Sequence, residues 1–378
     1  MFFNQVIGHS SLKQQLIHAA QTDKVSQALL FVGAEGVGTL PFALAYAQYL
    51  NCESPTDTDS CGTCSSCVKN QKFAHPDLFF TYPTVKAKAL SKDYISEWRE
   101  ALVENPYMNL TDWVAKLDNA NKQGNITAEE CNQIIRQHAL RHFEGKYKIQ
   151  LIWMAETLGK EGNKLLKIIE EPPANTVFIL VAESDERILP TILSRTQLIK
   201  FSKLKTSDIV ANLVEKKGIL QAQAEKIAPL AEGNWHLAQE LTTDTESDHF
   251  EAWQTWLELL FQKATQPSLN TMQSLFAWID AIGNSGRQNQ KIFLKYILFF
   301  LRECIALSLN VPTKLSTDEQ KLAKRLIEKI SVDEMAKMSD NINNLHYQIT
   351  RNAHPKIGLM ATSVELSKTL QRRIAATA

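Results

Sequence analysis

The sequence predicts an α/β domain built on a parallel sheet and followed by helical domains, and three observations carry that prediction. Short apolar runs at 28–33, 148–154 and 177–182, each bounded by polar, Gly or Pro residues, read as strands buried on both faces. Between them lie stretches whose apolar residues recur at helical spacing. Beyond about residue 200 the strand signal vanishes and helical periodicity alone remains.

The elements follow in order. Leu12 to Ala20, with apolar residues at 12, 16, 17, 19 and 20, predicts a helix before the first strand, Ala28 to Gly33. Four cysteines follow within a module at about 51–77. Residues 84–125, carrying Tyr94, Trp98, Tyr107 and Trp113 among many charges, fall where a short connection would suffice, and read as an insertion of two helices whose role the sequence does not give. Glu129 to Leu140 predicts a helix ahead of the strand Lys148 to Met154. Gly162 to Glu170 predicts another, stopped by Pro172-Pro173 ahead of the strand Val177 to Ala182. Thr206 to Lys216, Gln221 to Leu230 and Asn234 to Leu241 form a small helical domain over 201–245, with Gly218 and Gly233 at its breaks. Six longer amphipathic segments then predict a helical bundle over 246–378. Its Trp253, Trp256, Trp278 and Phe299 are expected as core.

Composition narrows the class. The chain has 378 residues, enough for two to three domains, and 41 Lys+Arg balance 41 Asp+Glu, so no broad field attracts polyanions. Contact with DNA is expected to be local or shared with partners. Arg136, Arg141, Lys146 and Lys148 could supply it, or simply form a solvated face. The amino terminus lacks a signal-peptide pattern, and the densest apolar segment, Tyr296 to Leu301, is too short to span a bilayer, so a cytoplasmic protein is expected. Cys131 and Cys304 stand alone and read as packed thiols.

Three motifs carry chemistry. The first strand runs into Gly33-Ala34-Glu35-Gly36-Val37-Gly38-Thr39-Leu40, spaced like a phosphate-binding loop, in which backbone N–H groups cradle phosphate, a Lys neutralises it and a hydroxyl holds magnesium. Gly33, Gly36 and Gly38 keep that form. Thr39 in the Lys position brings no charge, and Leu40 in the hydroxyl position holds no metal. A Gly-rich turn unrelated to phosphate is the plainer alternative. The strand at 148–154 ends in Trp153 and Met154, which can neither hold magnesium nor polarise water; Glu156 is two residues late and is expected to be solvated. Cys52, Cys61, Cys64 and Cys67 suit a closed tetrahedral zinc site, with reduced thiols or an iron–sulfur cluster as alternatives. Ser194-Arg195, following Pro190 to Leu193, is either a solvated charge or an arginine that reaches a neighbouring subunit's nucleotide.

The ordered series Val6-Ile7-Gly8, Ala28 to Gly33, the four cysteines, His75-Pro76-Asp77, Gly145 to Ile149, Leu165-Leu166-Lys167-Ile168-Ile169-Glu170-Glu171-Pro172-Pro173 and Ile192-Leu193-Ser194-Arg195 closely resembles the bacterial clamp-loader family. This is the AAA+ group that contains the tau/gamma and delta-prime subunits of DNA polymerase III. Ile349 to Lys356 resembles its collar signature, with His354 in place of an Asn. The resemblance implies an AAA+ P-loop domain over 1–200, a helical lid and a collar. Thr39, Leu40, Trp153 and Met154 place the chain with the non-hydrolysing, delta-prime type. Thr196 replaces the family's Cys after Ser-Arg, and Ala182-Glu183 and His236-Leu237 stand where active subunits carry sensor residues. The implied role is a stator, no enzyme by itself, that presents Ser194 and Arg195 in trans to ATP on an adjacent tau/gamma subunit. The implied partners are delta, tau/gamma, the sliding clamp and primer-template DNA. Structural zinc is implied, and productive ATP or magnesium binding is not expected. The alternatives are an ATP-hydrolysing tau/gamma-like subunit and a zinc-containing scaffold.

Overall fold

The computed structural model describes the chain apart from residues 87–88, 118–123, 140–142, 244–248, 352 and 378, and apart from the side chains of 243, 288 and 372–377. Its contacts gather into two units, Met1–Glu240 and Leu241–Ala378.

In the first unit, α1 (Ser10–Gln21) leads to β1 (Ala28–Val32), α2 (Thr39–Leu50), α3 (Ser65–Gln71) and β2 (Leu78–Thr81). The insertion supplies α4 (Ile95–Glu104) and α5 (Leu110–Leu117). Then come α6 (Ala128–His138), β3 (Lys148–Trp153), α7 (Leu166–Glu170), β4 (Thr176–Ala182), α8 (Pro190–Leu193) and β5 (Gln197–Lys200). The segment 201–245 contributes α9 (Thr206–Lys217), α10 (Gln221–Leu230) and α11 (Trp235–Thr243), the last crossing from one unit to the other.

The sheet runs β2-β3-β4-β1-β5 with every pairing parallel. The expected alternation of faces is present: Leu29 and Phe31 of β1 enter the core under α2, while Leu30 and Val32 enter the core on the opposite face. Burial on both sides is why these strands read as continuous apolar runs. From Leu40 to Leu50 every residue of α2 is buried, as a helix apolar all round must be.

Two strands were not legible in the sequence. β2 is four residues long, and β5 is an edge strand in which Ile199 is the buried position, so neither carries a long apolar run. The helix expected over 162–170 is α only from Leu166; a 3-10 stretch with a break at Gly159 precedes it.

Among its described residues the insertion forms two α-helices after a short 3-10 turn at Ser91–Tyr94, and it is tied to the sheet. Trp98 stacks on Tyr82 at 4.1 Å and meets Trp113 at 5.1 Å and Trp153, the last residue of β3, at 5.2 Å. Buried Glu130 accepts hydrogen bonds from Thr81 Oγ1 and from the Ser91 amide.

In the second unit, α12 (His249–Thr265), α13 (Leu269–Asn284), α14 (Arg287–Ser308), α15 (Thr317–Lys329), α16 (Val332–Thr350) and α17 (Pro355–Thr377) form the expected bundle. Trp253, Trp256, Trp278 and Phe299 are buried, and Trp256 stacks on Trp278 at 4.8 Å, so the aromatics are core. Among the described residues no helix is long and apolar enough to cross a membrane.

Candidate functional site

A ligand crevice in an open parallel sheet lies beyond the carboxyl ends of its strands, and there Gly33 to Gly38 lead from β1 into α2. Gly36 and Gly38 have φ of 71° and 99°, a region other residues enter only with strain. Both also allow close approach: a Cβ on Gly36 would lie 1.7 Å from Asn234 Oδ1, and one on Gly38 3.0 Å from the Tyr107 ring. The beginning of α11 therefore sits directly on the loop. The Trp235 amide donates to the Gly36 carbonyl at 2.9 Å, and Asn234 Nδ2 donates to Glu35 Oε1 at 3.2 Å.

The crevice is nearly full. Pro106, Tyr107 and Met108 of the insertion enter it beside Trp153 and Met154, leaving a cavity of about 20 Å³, room for about one water. Its charged lining residues are Glu35 and Glu183, both acidic. Thr39 lies at the start of α2 and Leu40 is buried in the core, as their chemistry requires. Glu156 corrects the expectation of a solvated carboxylate: it is partly buried, and its Oε1 accepts from the Glu183 amide at 3.0 Å. Burial, reinforced by the charges of Glu156 and Glu35, pushes the Glu183 carboxyl up to about 7.

Tyr107 is the residue that sequence reasoning missed. Its hydroxyl accepts from the Ile7 amide at 2.9 Å, and its ring lies 6.3 Å from that of Trp235. Beside it, Asn105 Nδ2 is 3.2 Å from His236 Nδ1, while His236 Nε2 is 3.3 Å from Asp112 and 3.2 Å from Glu240. No local signal marks these partners, because residues 105–112 and 236 meet only through the fold.

Ser194 and Arg195 follow α8 on the surface and do not line the crevice. Arg195 Nε donates to Glu170 Oε2 at 2.7 Å and Nη1 to the Thr191 carbonyl at 3.1 Å. Of the basic residues considered for DNA, Arg136 pairs with Glu129 and Lys146 with Asp23, both exposed. Lys148 is a correction: it is buried, donates to the Gln137 carbonyl and lies over the Phe79 ring. Arg141 lies outside the described residues.

The sulfurs of Cys52, Cys61, Cys64 and Cys67 all lie within 4.8 Å of one another. Tetrahedral zinc with bonds of about 2.3 Å sets its sulfurs about 3.8 Å apart, and Cys61 Sγ and Cys67 Sγ are at 3.9 Å. The Cys61, Cys64 and Cys67 amides point at the sulfurs of Cys52, Cys61 and Cys64, the orientation that stabilises thiolates. The four residues fit a structural zinc ion.

A model of the family described as DNA polymerase III, delta subunit, matches residues 8–205, more than half of the chain. The chain belongs to this family. Among curated relatives, the tau subunit of DNA polymerase III from Bacillus subtilis is 23% identical over 97% of the chain. The delta' subunit from Escherichia coli is 27% identical over 49% of it. The chain spans 62% and 45% of the lengths of these two relatives. A solved gamma-subunit-related protein from Thermotoga maritima is 15% identical, with coverage of 94% of this chain and 99% of that one, at a TM-score of 0.40.

Proposed function

We propose that this clamp-loader family member is a non-hydrolysing subunit of the delta-prime type. The observation that carries the reading is the state of the crevice: its glycines remain, its charged lining is acidic, and Pro106 to Met108 line a cavity of about 20 Å³, too small for a triphosphate. Glu35, and Glu183 to the extent that it is ionised near neutral pH, would repel phosphate where an active site supplies a cation.

On this reading the useful charge is Arg195, offered in trans. Its half-exposed position at the surface beside Ser194 would let it meet the nucleotide of an adjacent tau/gamma subunit, where a guanidinium stabilises charge developing on the transferred phosphoryl group. The chain would act within an assembly with delta and tau/gamma that places the sliding clamp on primed DNA. Zinc at the four cysteines would fix the loop between α2 and α3 and do no chemistry.

The rival reading, a hydrolysing tau/gamma-like subunit, is favoured by the alignment with the Bacillus subtilis tau subunit over nearly the whole chain. Two measurements separate them. The isolated chain is expected not to bind a fluorescent ATP analogue, and Arg195→Ala is expected to lower DNA-stimulated ATP turnover of the complex reconstituted with delta and tau/gamma without preventing assembly. Saturable binding and turnover of Mg·ATP by the isolated chain would sink the proposal.

A further inference from the structure

We infer that residues 105–108 of the insertion are a built-in occupant of the nucleotide crevice, a latch that holds α11 on the phosphate loop without any ligand. The inference rests on the reading that this crevice takes no nucleotide, and it assigns the insertion a role.

The geometry converges on one side chain. Asn105 ends α4, and its Oδ1 accepts from the Tyr107 amide at 3.0 Å, which sets the turn that carries Tyr107 inward. The Tyr107 side chain then touches three separate segments. Its hydroxyl satisfies the buried Ile7 amide, its ring closes over Gly38, and its outer edge faces Trp235 at the start of α11. A buried backbone donor left without a partner is costly, so the hydroxyl is a structural requirement there and not a chance contact. A second layer joins the same elements: His236 of α11 is held by Asn105 and Asp112 of the insertion as well as by Glu240 of its own helix. The loop contacts α11 directly through Gly36 and Glu35. In a site that depends on a ligand, the bound molecule bridges such walls. Here an aromatic ring from the same chain does so, and α11 is kept in place at all times.

Hydrogen exchange on the full chain tests this. Wild-type amides of 235–240 are expected to be protected without nucleotide and unchanged by millimolar Mg·ATP. Tyr107→Ala and His236→Ala are expected to speed their exchange at least tenfold while β1 and β4 keep wild-type rates. Tyr107→Phe, which keeps the ring and loses only the hydroxyl, is expected to fall between and guards against misfolding of the alanine variant. Unchanged exchange of 235–240 in all three variants overturns the latch, as does an equal acceleration of β1 and β4, which would make Tyr107 an ordinary core residue. Either result leaves the non-hydrolysing reading standing; that reading fails separately if the wild-type chain itself binds Mg·ATP.

Discussion

Arg195 Nε donates a 2.7 Å hydrogen bond to Glu170 Oε2, joining the end of α7 to the residue that follows α8 and Ser194. Both side chains are substantially exposed, 32% and 56%, and a pair of this kind contributes at most about 1 kcal/mol. It orients the guanidinium without holding it firmly. A phosphate offers a stronger, doubly hydrogen-bonded partner, so under the proposed function the pair would be a resting position for the arginine.

Glu170→Gln is therefore expected to change stability by under about 1 kcal/mol and to leave ATP turnover of the reconstituted complex at or above the wild-type level. Arg195→Ala is expected to be equally stable and to lower turnover. Melting curves and steady-state ATPase rates on the two variants check this; a loss of turnover in Glu170→Gln matching that of Arg195→Ala would show that the carboxylate is needed for more than orientation.

Restoring the missing loop chemistry is expected to fail while the crevice is full. Thr39→Lys with Leu40→Thr supplies the cation and hydroxyl, yet Tyr107 remains against Gly38, and the hydroxyl introduced at position 40 is buried at a cost of about 1–3 kcal/mol. Titration with a fluorescent ATP analogue should give no saturable binding for the double variant. Binding that appears without any change at Tyr107 would contradict the geometry.

His236 makes the junction between α11 and the insertion sensitive to pH. Burial pulls its imidazole down, but the Glu240 hydrogen bond and the charges of Asp112, Glu240 and Glu35 outweigh that and hold it above the ordinary value. A raised folded-state value means that the stabilisation is complete below the ordinary imidazole range, about 6.5, and is lost as pH rises through the folded value. The melting-temperature advantage of wild type over His236→Gln should accordingly shrink from pH 6 upward; an advantage that grows over that range is the contrary result.

Metal analysis of the purified chain should give one zinc per molecule, and Cys61→Ser should lose most of it. Removing zinc with a chelator is expected to lower the melting temperature, because three of the four sulfurs accept amides of this loop and of the first turn of α3, which Cys64 caps. A full complement of zinc in Cys61→Ser would remove that residue from the ligand set.

Asp77 accepts from the Phe143, Glu144 and Gly145 amides, which fixes the turn into β3. Although burial alone would raise its carboxyl, these hydrogen bonds bring it below the ordinary carboxylate range. Its contribution is present above that range and lost as pH falls through the folded value. Asp77→Asn should cost about 1–3 kcal/mol at neutral pH, and denaturant titration should show the gap to wild type closing in acid.

What the sequence determined by itself was whatever depends on neighbours along the chain. The apolar runs of β1, β3 and β4, the glycine spacing at 33–38, the cysteine cluster and Thr39 in the Lys position are local patterns, and local patterns set secondary structure and name candidate sites. The short strand β2, the edge strand β5 and the insertion's purpose were not legible, because four residues carry too little periodicity and an insertion's contacts depend on where the sheet delivers it. Only the tertiary structure decided that Tyr107 fills the crevice, that His236 answers to Asp112, that Lys148 is buried and that Asp77 serves residues 143–145. Each of these arrangements depends on where the fold delivers segments far apart in sequence, and the net gain from burying or hydrogen-bonding a specific distant partner leaves no trace in the spacing of residues along the chain.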